Sequence, residues 1–386
     1  GILLLDIGRV LLSLRFLVQS ENTLPFFFCS SKMLYTNFYT SSSETPDEVG
    51  ISSVLLEDIK NVYLNSFCFG FRFNDINLTI PEFYGYYFRG PIFRREVYPL
   101  AQGSTRFNLS KSELIKLKIP IPPVPEQRKI AAILSSVDEA IEKTEAIIEQ
   151  TEKVKKGLMQ QLLTKGIGHT KFKKTEIGEI PEEWEVKNIS EVAKVVSGGT
   201  PSKQISEYWE NGTIPWATPT DITSNDNKYI STTQSMITES ALRNSSANLL
   251  PVGSVLMTSR ATIGPRCINT VPMATNQGVK SFICDPDVLH NEYLYYLIDK
   301  IKDQFIALAS GSTFLEISKS ALENFKIPVP PIEEQIEIAK ILSSVDEKMS
   351  VEKVKKESLQ IIKKGLMHSL LTGKVRVKVD DEVVSS

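Results

Sequence analysis

The chain is poor in the residues from which active sites are usually built. Its 386 residues include three histidines, His169, His290 and His368, scattered far apart, and the expectation for each is a surface or capping role. The four cysteines, Cys29, Cys68, Cys267 and Cys284, show no CxxC spacing, which argues against a zinc site; they read as buried thiols of a cytosolic protein. A P-loop, a G-x-G-x-x-G turn and a G-x-S-x-G elbow are all missing. Neither proline cluster is preceded by Asn or Asp and followed by an aromatic residue, so the motif of an amino-methyltransferase is missing too. One nuclease-like echo, Pro46-Asp47 followed by Asp58-Ile59-Lys60, is too permissive to carry weight. Net charge is −2, so any contact with nucleic acid must come from local patches. No stretch qualifies as membrane-spanning: Asp6, Arg9 and Arg15 interrupt the apolar opening, and no basic segment precedes it. What remains reads as a binding protein.

What the sequence does have is a repeat. Residues 103–164 begin Gly-Ser-Thr and run through "SKSELIKLKIPIPPVPEQRKIAAILSSVDEA" to "KKGLMQQLLT". Residues 311–372 carry "GSTFLEISKSALENFKIPVPPIEEQIEIAKILSSVDEK" to "KKGLMHSLLT". About half the positions agree, without an insertion in either copy. A constant register over some sixty residues marks a structural unit used twice, here each time at the end of a larger, non-repeated module. The expected division is a first module over 1–118, a helix over 119–165, a second module over 166–327, a second helix over 328–374 and a tail over 375–386. The segment "FKKTEIGEIPEEWEVKNISEVAKVVSGGTPSK" has no counterpart ahead of the first module, whose front therefore reads as truncated.

Each copy has a proline-rich lead-in, Pro120, Pro122, Pro123 and Pro125, then Pro328, Pro330 and Pro331. Proline fixes φ and removes a donor, so an extended stretch should lead directly into a helix. Glu126 and Glu333–Glu334 then fall in the first turn, where the helix dipole favours carboxylates. From Ile130 the apolar residues follow a 4-3 alternation, through Leu134, Val137, Ile141, Ile148, Leu158 and Leu162, with gaps at Thr144, Thr151 and Lys155. The second copy gives Ile338, Leu342, Val345, Met349, Leu359, Leu366 and Leu370, with gaps at Glu352, Lys356 and Lys363. This is a heptad seam, strong at both ends and weak in the middle. Each helix should run roughly 38 residues, or about 57 Å. Helix 2 should begin near where helix 1 stops, because domain termini commonly lie close together. The pair is therefore expected to be antiparallel and pseudo-two-fold. The fold class is mixed α+β: two globular modules and two long repeat helices.

The modules hold residue types suited to DNA. In the second, "SGGTPSK" places Thr200 and Lys203, "IPWATPTDI" Thr218 and Thr220, "MTSRATIG" Ser259, Arg260 and Thr262, and "ATNQG" Asn276 and Gln277. In the first, the analogous places are "TSSSET" with Ser41, Ser42 and Ser43, "LNSF" with Asn65, and Arg89, Arg94, Arg95 and Arg106. Thr313 and Lys319, in the second repeat, complete the candidates. Arginine can bridge guanine O6 and N7, Asn or Gln can bridge adenine N6 and N7, and hydroxyls suit phosphate. Each residue alone is more readily a loop or salt-bridge residue, and only the set, present in both modules, points to DNA.

The paired "GST…SK…KIPxPPxxEQxxIAxILSSVDE" blocks ending in "KKGLMxxLLT", together with "EIGEIPEEWE", resemble the specificity subunit of Type I restriction–modification enzymes over residues 36–374. The resemblance implies two target-recognition domains, each reading half of a split double-stranded DNA site, with an antiparallel coiled coil between them. It also implies no activity and no cofactor of the chain's own. Two copies of an adenine-N6 methyltransferase (modification) subunit and an ATP-dependent restriction subunit would be the partners, in a prokaryotic cytoplasm. S-adenosylmethionine, ATP and Mg²⁺ would be bound by them. Two other classes stay open at this point: an enzyme with unrecognised motifs, and a coiled-coil scaffold for proteins alone.

Overall fold

The two repeat helices form where the heptads place them, over Val124–Lys165 and Ile332–Leu371, in a computed structural model that describes residues 35–56, 66–73, 75, 77–311 and 315–379. They are 42 and 40 residues long, slightly more than the seam alone requires. Helix 1 begins at Val124, with Pro125 inside its first turn, where the missing N–H would have no intrahelical partner anyway. The second lead-in is a true strand, Lys326–Val329, paired antiparallel with Glu185–Asn188. The chain divides into two units, one of residues up to 147 together with those from 352, the other of 148–351, so that each unit takes half of each helix.

Among the described residues unit 1 is built on a three-stranded antiparallel sheet, with Asn37–Thr40 between Ser52–Val54 and Cys68–Phe71. Across it lies the helix Pro81–Arg89, in which every residue from Phe83 to Phe88 is buried, as expected of a helix enclosed by core on all sides. Gly85 is required there because a Cβ would stand 2.6 Å from Val54 Cγ1. Tyr39 packs its ring 5.6–6.3 Å from Phe69, Phe71, Phe88 and Phe93, and Ile130, Leu134, Leu370 and Leu371 from the two helix halves close this core.

Unit 2 has a five-stranded sheet in the order Tyr229–Ile230, Arg266–Asn269, Val255–Thr258, Val279–Cys284, Ala193–Ser197. The helix Asn291–Leu308 buries Tyr293, Leu294, Leu297, Ile301 and Phe305, an i, i+3/i+4 stripe facing the core. Trp184, from "EEWE", is wholly buried and donates through Nε1 to Glu334 Oε2 at 2.9 Å. His169 shares that carboxylate, with Nε2 at 2.9 and 3.0 Å from its two oxygens. Half-buried and bonded to an acid, it has neither of the roles expected for it. His290 does occupy the N-cap position of its helix, though without a side-chain cap, and His368 is exposed. Of the cysteines Cys267 is buried, Cys68 and Cys284 are only half-buried, and Cys29 lies outside the described residues. Burial pushes the Cys267 and Cys284 thiols up to about 12.

The gaps in the heptad seam have a physical explanation. Thr144 and Thr151 are buried in the seam, Thr144 returning its hydroxyl to the Ala140 carbonyl at 2.8 Å. The lysine gaps are ion pairs. In unit 1, Lys363 lies 2.5 Å from Asp138 and Lys356 lies 2.9 Å from Glu145, so one helix ascends as the other descends. In unit 2, Lys155 lies 2.5 Å from Asp346. A tyrosine completes each cluster: Tyr86 donates to Asp138 at 2.7 Å beneath Lys363, and Tyr296 donates to Asp346 at 2.7 Å beneath Lys155. The first-turn Glu126 is also engaged, in a two-pronged pair with Arg376 at 2.6 and 2.8 Å.

The repeat extends further upstream than the constant-register block. "PEFYGYYF" (81–88) and "NEYLYYLI" (291–298) form equivalent helices, and a buried glutamine ties each to the following long helix. Gln127 accepts from Ile80 N at 2.8 Å and donates to the Leu78 and Pro122 carbonyls at 2.9 and 2.7 Å. Gln335 accepts from His290 N and donates to the Val288 and Pro330 carbonyls, all at 2.8 Å. Truncating Gln335 to alanine strands three backbone groups, at about 1–3 kcal/mol for each one left unsatisfied. Gln335→Ala should therefore lower stability by about 3 kcal/mol or more, read as a fall in the urea midpoint of unit 2. An unchanged midpoint would show that water replaces these bonds.

Candidate nucleic-acid interface

Four of the polar motifs converge because the strands that carry them end together. Thr258 pairs with Val279 and Ser197 with Lys280, so the loops after Val255–Thr258 and Ala193–Ser197 and the loop before Val279–Cys284 leave one end of the unit 2 sheet. Trp216 and Ala217 run parallel to Ala274 and Thr275, and Asn276 N donates to Ala217 O at 3.0 Å, which brings in Thr218. The residues flanking the second "GST" join the same end. Ser310 and Glu316 exchange backbone hydrogen bonds at 3.0 and 2.9 Å, and Ile317 N donates to Ser259 O at 3.0 Å.

Within this cluster the candidates play different parts. Thr200, exposed, donates to Gln277 Oε1, and Gln277 is exposed. Asn276 spends its Oδ1 on the Gly278 N–H at 2.9 Å, shaping the turn. Thr218 forms a capping box with Asp221, accepting from Asp221 N and donating to Asp221 Oδ2 at 2.6 Å, so its side chain is committed to a helix start. Thr220 and Thr262 are exposed; the Thr262 carbonyl accepts from Thr258 Oγ1 at 2.5 Å. Ser259 is fully buried and presents no hydroxyl to solvent. Arg260, whose side chain is 45% exposed, pairs with Glu316, and the other Glu316 oxygen faces Lys280 Nζ at 3.5 Å. Burial works to raise the Glu316 carboxyl, but the Arg260 hydrogen bond and the Lys280 charge outweigh it and hold the group below the usual carboxylate range. It is thus ionised at neutral pH and would release Arg260 only as the pH falls through that lowered value. Lys203 is exposed; Lys319 is exposed and bridges to Glu323 at 3.4 Å. Thr313 lies outside the described residues.

Unit 1 repeats the arrangement with other side chains. Its sheet order matches that of Arg266–Asn269, Val255–Thr258 and Val279–Cys284. Gln102 and Asn108 exchange backbone bonds at 2.9 and 2.8 Å, as Ser310 and Glu316 do, and Leu109 N donates to Ser41 O as Ile317 N does to Ser259 O. Gly103 opens this hairpin at φ +142°, where a Cβ would stand 2.0 Å from the Arg106 carbonyl oxygen, and Gly311 opens the other at φ +132°. Ser42 pairs with Asn108 where Arg260 pairs with Glu316. Ser43 bonds Glu48. Arg94 does not face outward: it is half-buried and holds the Val49 and Asp47 carbonyls at 2.8 and 2.6 Å. Arg95 is exposed beside Glu96, and Arg106 is exposed over the Phe67 ring at 4.6 Å. Asn65 and the Asp58–Lys60 echo lie outside the described residues. Sequence reasoning missed Lys280 and Glu316; the signal available was position 316, where the repeat carries Glu against Asn108 of the first copy.

The family model for the Type I restriction modification DNA specificity domain matches residues 27–153 and 181–360, and the chain belongs to that family. It is similar to the Type I restriction enzyme MjaVIII specificity subunit of Methanocaldococcus jannaschii, 35% identical over 285 residues, covering 70% of this chain and 65% of the relative. The MjaIX specificity subunit of the same organism is 42% identical over 195 residues, 50% of this chain and 45% of the relative. The chain thus spans less than two thirds of these relatives. In fold it is similar to the crystal structure of a Type-I restriction-modification S subunit from M. genitalium, with a TM-score of 0.54 and 19% identity, covering 88% of this chain and 83% of that one. Among the described residues no helix is long and apolar enough to cross a membrane.

The loop cluster depends on close backbone approach at Gly198, where a Cβ would stand 2.0 Å from the Asn276 carbonyl oxygen. Gly198→Ala forces the two loops apart, which for overpacking costs about 1–3 kcal/mol. The expected outcome is faster amide exchange at Gly199, whose N–H donates to Thr275 O at 2.9 Å, with little change on the helix Asn291–Leu308.

Proposed function

We propose that the chain is the DNA-recognition subunit of a Type I restriction–modification complex, without chemistry of its own. Each unit reads one half of a bipartite double-stranded site, and the helix pair sets the spacer. The observation that carries this reading is the duplicated scaffold: the same sheet end and the same backbone bridge, Gln102–Asn108 and Ser310–Glu316, occur in both units with different polar side chains at corresponding places. Such a pair suits two unlike half-sites. The repeat helices, alike in sequence, suit two copies of one partner, the modification subunit, with the restriction subunit added for cleavage. S-adenosylmethionine, ATP and Mg²⁺ belong to those partners in this reading, and the complex acts in the prokaryotic cytoplasm.

Local cations such as Lys203 and Lys319, and not net charge, supply the phosphate contacts. For the assembled complex, log affinity should then fall linearly with log salt, by about 0.9 for each phosphate neutralised. A flat salt response would exclude this footprint.

The spacer can be tested by shortening both helices together. Deleting Thr144–Gln150 and Glu352–Ser358 removes one heptad from each, and with it both partners of the Glu145–Lys356 pair, while Asp138–Lys363 and Lys155–Asp346 remain. Seven residues amount to about 10.5 Å of helix, or roughly three base pairs at about 3.4 Å each. The methylated motif should keep both half-sites and lose roughly three base pairs of spacer, with weaker binding because the second half-site also turns by roughly a hundred degrees. An unchanged spacer in methylation sequencing would show that something other than the helices sets it.

A further inference from the structure

Arg260 stands just beyond the strand Val255–Thr258, bridged through its backbone to Glu316 of the "GST" hairpin. Its Nε and Nη2 lie 2.9 and 2.6 Å from a single oxygen, Glu316 Oε2, so one edge of the guanidinium is occupied. Glu316 is anchored in turn. Its other oxygen faces Lys280, a residue with only 7% of its side chain exposed, whose Nζ also donates to the Gln277 carbonyl at 3.3 Å. The guanidinium has five N–H donors in one plane, and a carboxylate on the Nε edge leaves Nη1 and the outer hydrogen of Nη2 free. Those two donors form the parallel pair that matches O6 and N7 of guanine in the major groove. Arg260 remains 45% exposed at the loop cluster while Glu316 is held from behind.

On the reading that unit 2 recognises DNA, we infer that Arg260 determines specificity, with a guanine of the half-site as its ligand, and that Glu316 is its positioning residue, oriented by Lys280. Unit 1 bears on the same point from the other side. The corresponding places hold Ser42 and Asn108, which offer no fork and no anchoring carboxylate, so the device belongs to one half-site alone. Removing Glu316 should then affect one base position and not binding as a whole, because the carboxylate touches the arginine and not the DNA.

The test is selection from a duplex library randomised over both half-sites, using the full chain assembled with its modification subunit. Wild type should require guanine at one position of one half-site. Arg260→Ala should relax that position by roughly 5- to 150-fold, the span for one bidentate base contact. Glu316→Gln, nearly isosteric, should relax the same position several-fold and leave every other position as it was. Lys319→Ala, a candidate phosphate contact, should lower affinity evenly across sequences. Arg260→Lys keeps the Glu316–Lys280 pair but loses the fork, so it tests the contact even if Glu316→Gln fails to fold by thermal melting. A wild-type preference that survives both Arg260→Lys and Glu316→Gln overturns this inference and leaves the recognition reading intact. An even loss across all positions for Glu316→Gln also overturns it, by reducing Glu316 to a structural role. A wild-type complex with no base preference overturns both readings.

Discussion

The arrangement depends on one reciprocal contact, the aspartate of each "SSVDE" block with the first lysine of the other copy's "KKGLM". Because the block occurs twice, Asp138 could in principle meet its own copy's Lys155 or the other copy's Lys363, and geometry decides. Seventeen residues along one helix separate Asp138 from Lys155, about 25 Å at 1.5 Å per residue, so an intrahelical pair is out of reach. Only exchange between copies satisfies both acids, and only antiparallel helices allow the two exchanges together. The tyrosine beneath each pair makes the site partly apolar, which raises the cost of leaving either charge alone. An alternative register would leave two half-buried carboxylates without their lysines. Polar residues in a helical seam commonly fix register at some expense of stability, and here the lysine gaps in the apolar pattern serve that purpose.

From this frame the two units inherit a common architecture and differ where side chains face outward. The buried glutamines, the tyrosine–aspartate contacts and the glycine-opened hairpins recur with nearly the same distances. The residues set on the hairpin do not recur: a hydroxyl and an amide in one unit, an arginine and a carboxylate in the other. The contacts that tie the helices and close the hairpins are thus held alike while the side chains set on the hairpin vary. Among the described residues the strands between differ in length and number, with three in the main sheet of unit 1 against five in unit 2.

Much of this was legible from residue pattern alone. The repeat, the two helices, their antiparallel sense and the mixed α+β class all follow from the 4-3 spacing, the prolines and the constant register. The motifs "SGGTPSK", "MTSRATIG" and "ATNQG" lie at one end of the unit 2 sheet, since glycine and small hydroxyl residues beside short apolar runs mark strand ends. Individual side chains were harder to assign. Ser259 and Arg94 looked outward-facing by residue type, yet one is buried under the hairpin and the other is drawn in by two carbonyls. Residue type alone does not single out Glu316 and Lys280, because they act as a pair 36 residues apart, brought together by sheet pairing. The upstream extension of the repeat was hidden by a shift of two residues in its offset, which a search at fixed spacing passes over.

The division of each helix between the units has a consequence for the order of events during synthesis. Unit 2 is continuous in sequence, from 148 to 351, whereas the core of unit 1 includes Leu370 and Leu371, more than two hundred residues after Leu134. Domains usually fold from the N-terminus onward as the chain emerges. Here the first sheet and its aromatic helix must wait, with part of their apolar surface uncovered, until the last two turns of helix 2 leave the ribosome. The entropic penalty of closing so long a connection grows only as its logarithm, and it falls further once the intervening residues have already collapsed into a folded body. The second unit is therefore completed first, and its folding shortens the path by which the first is closed.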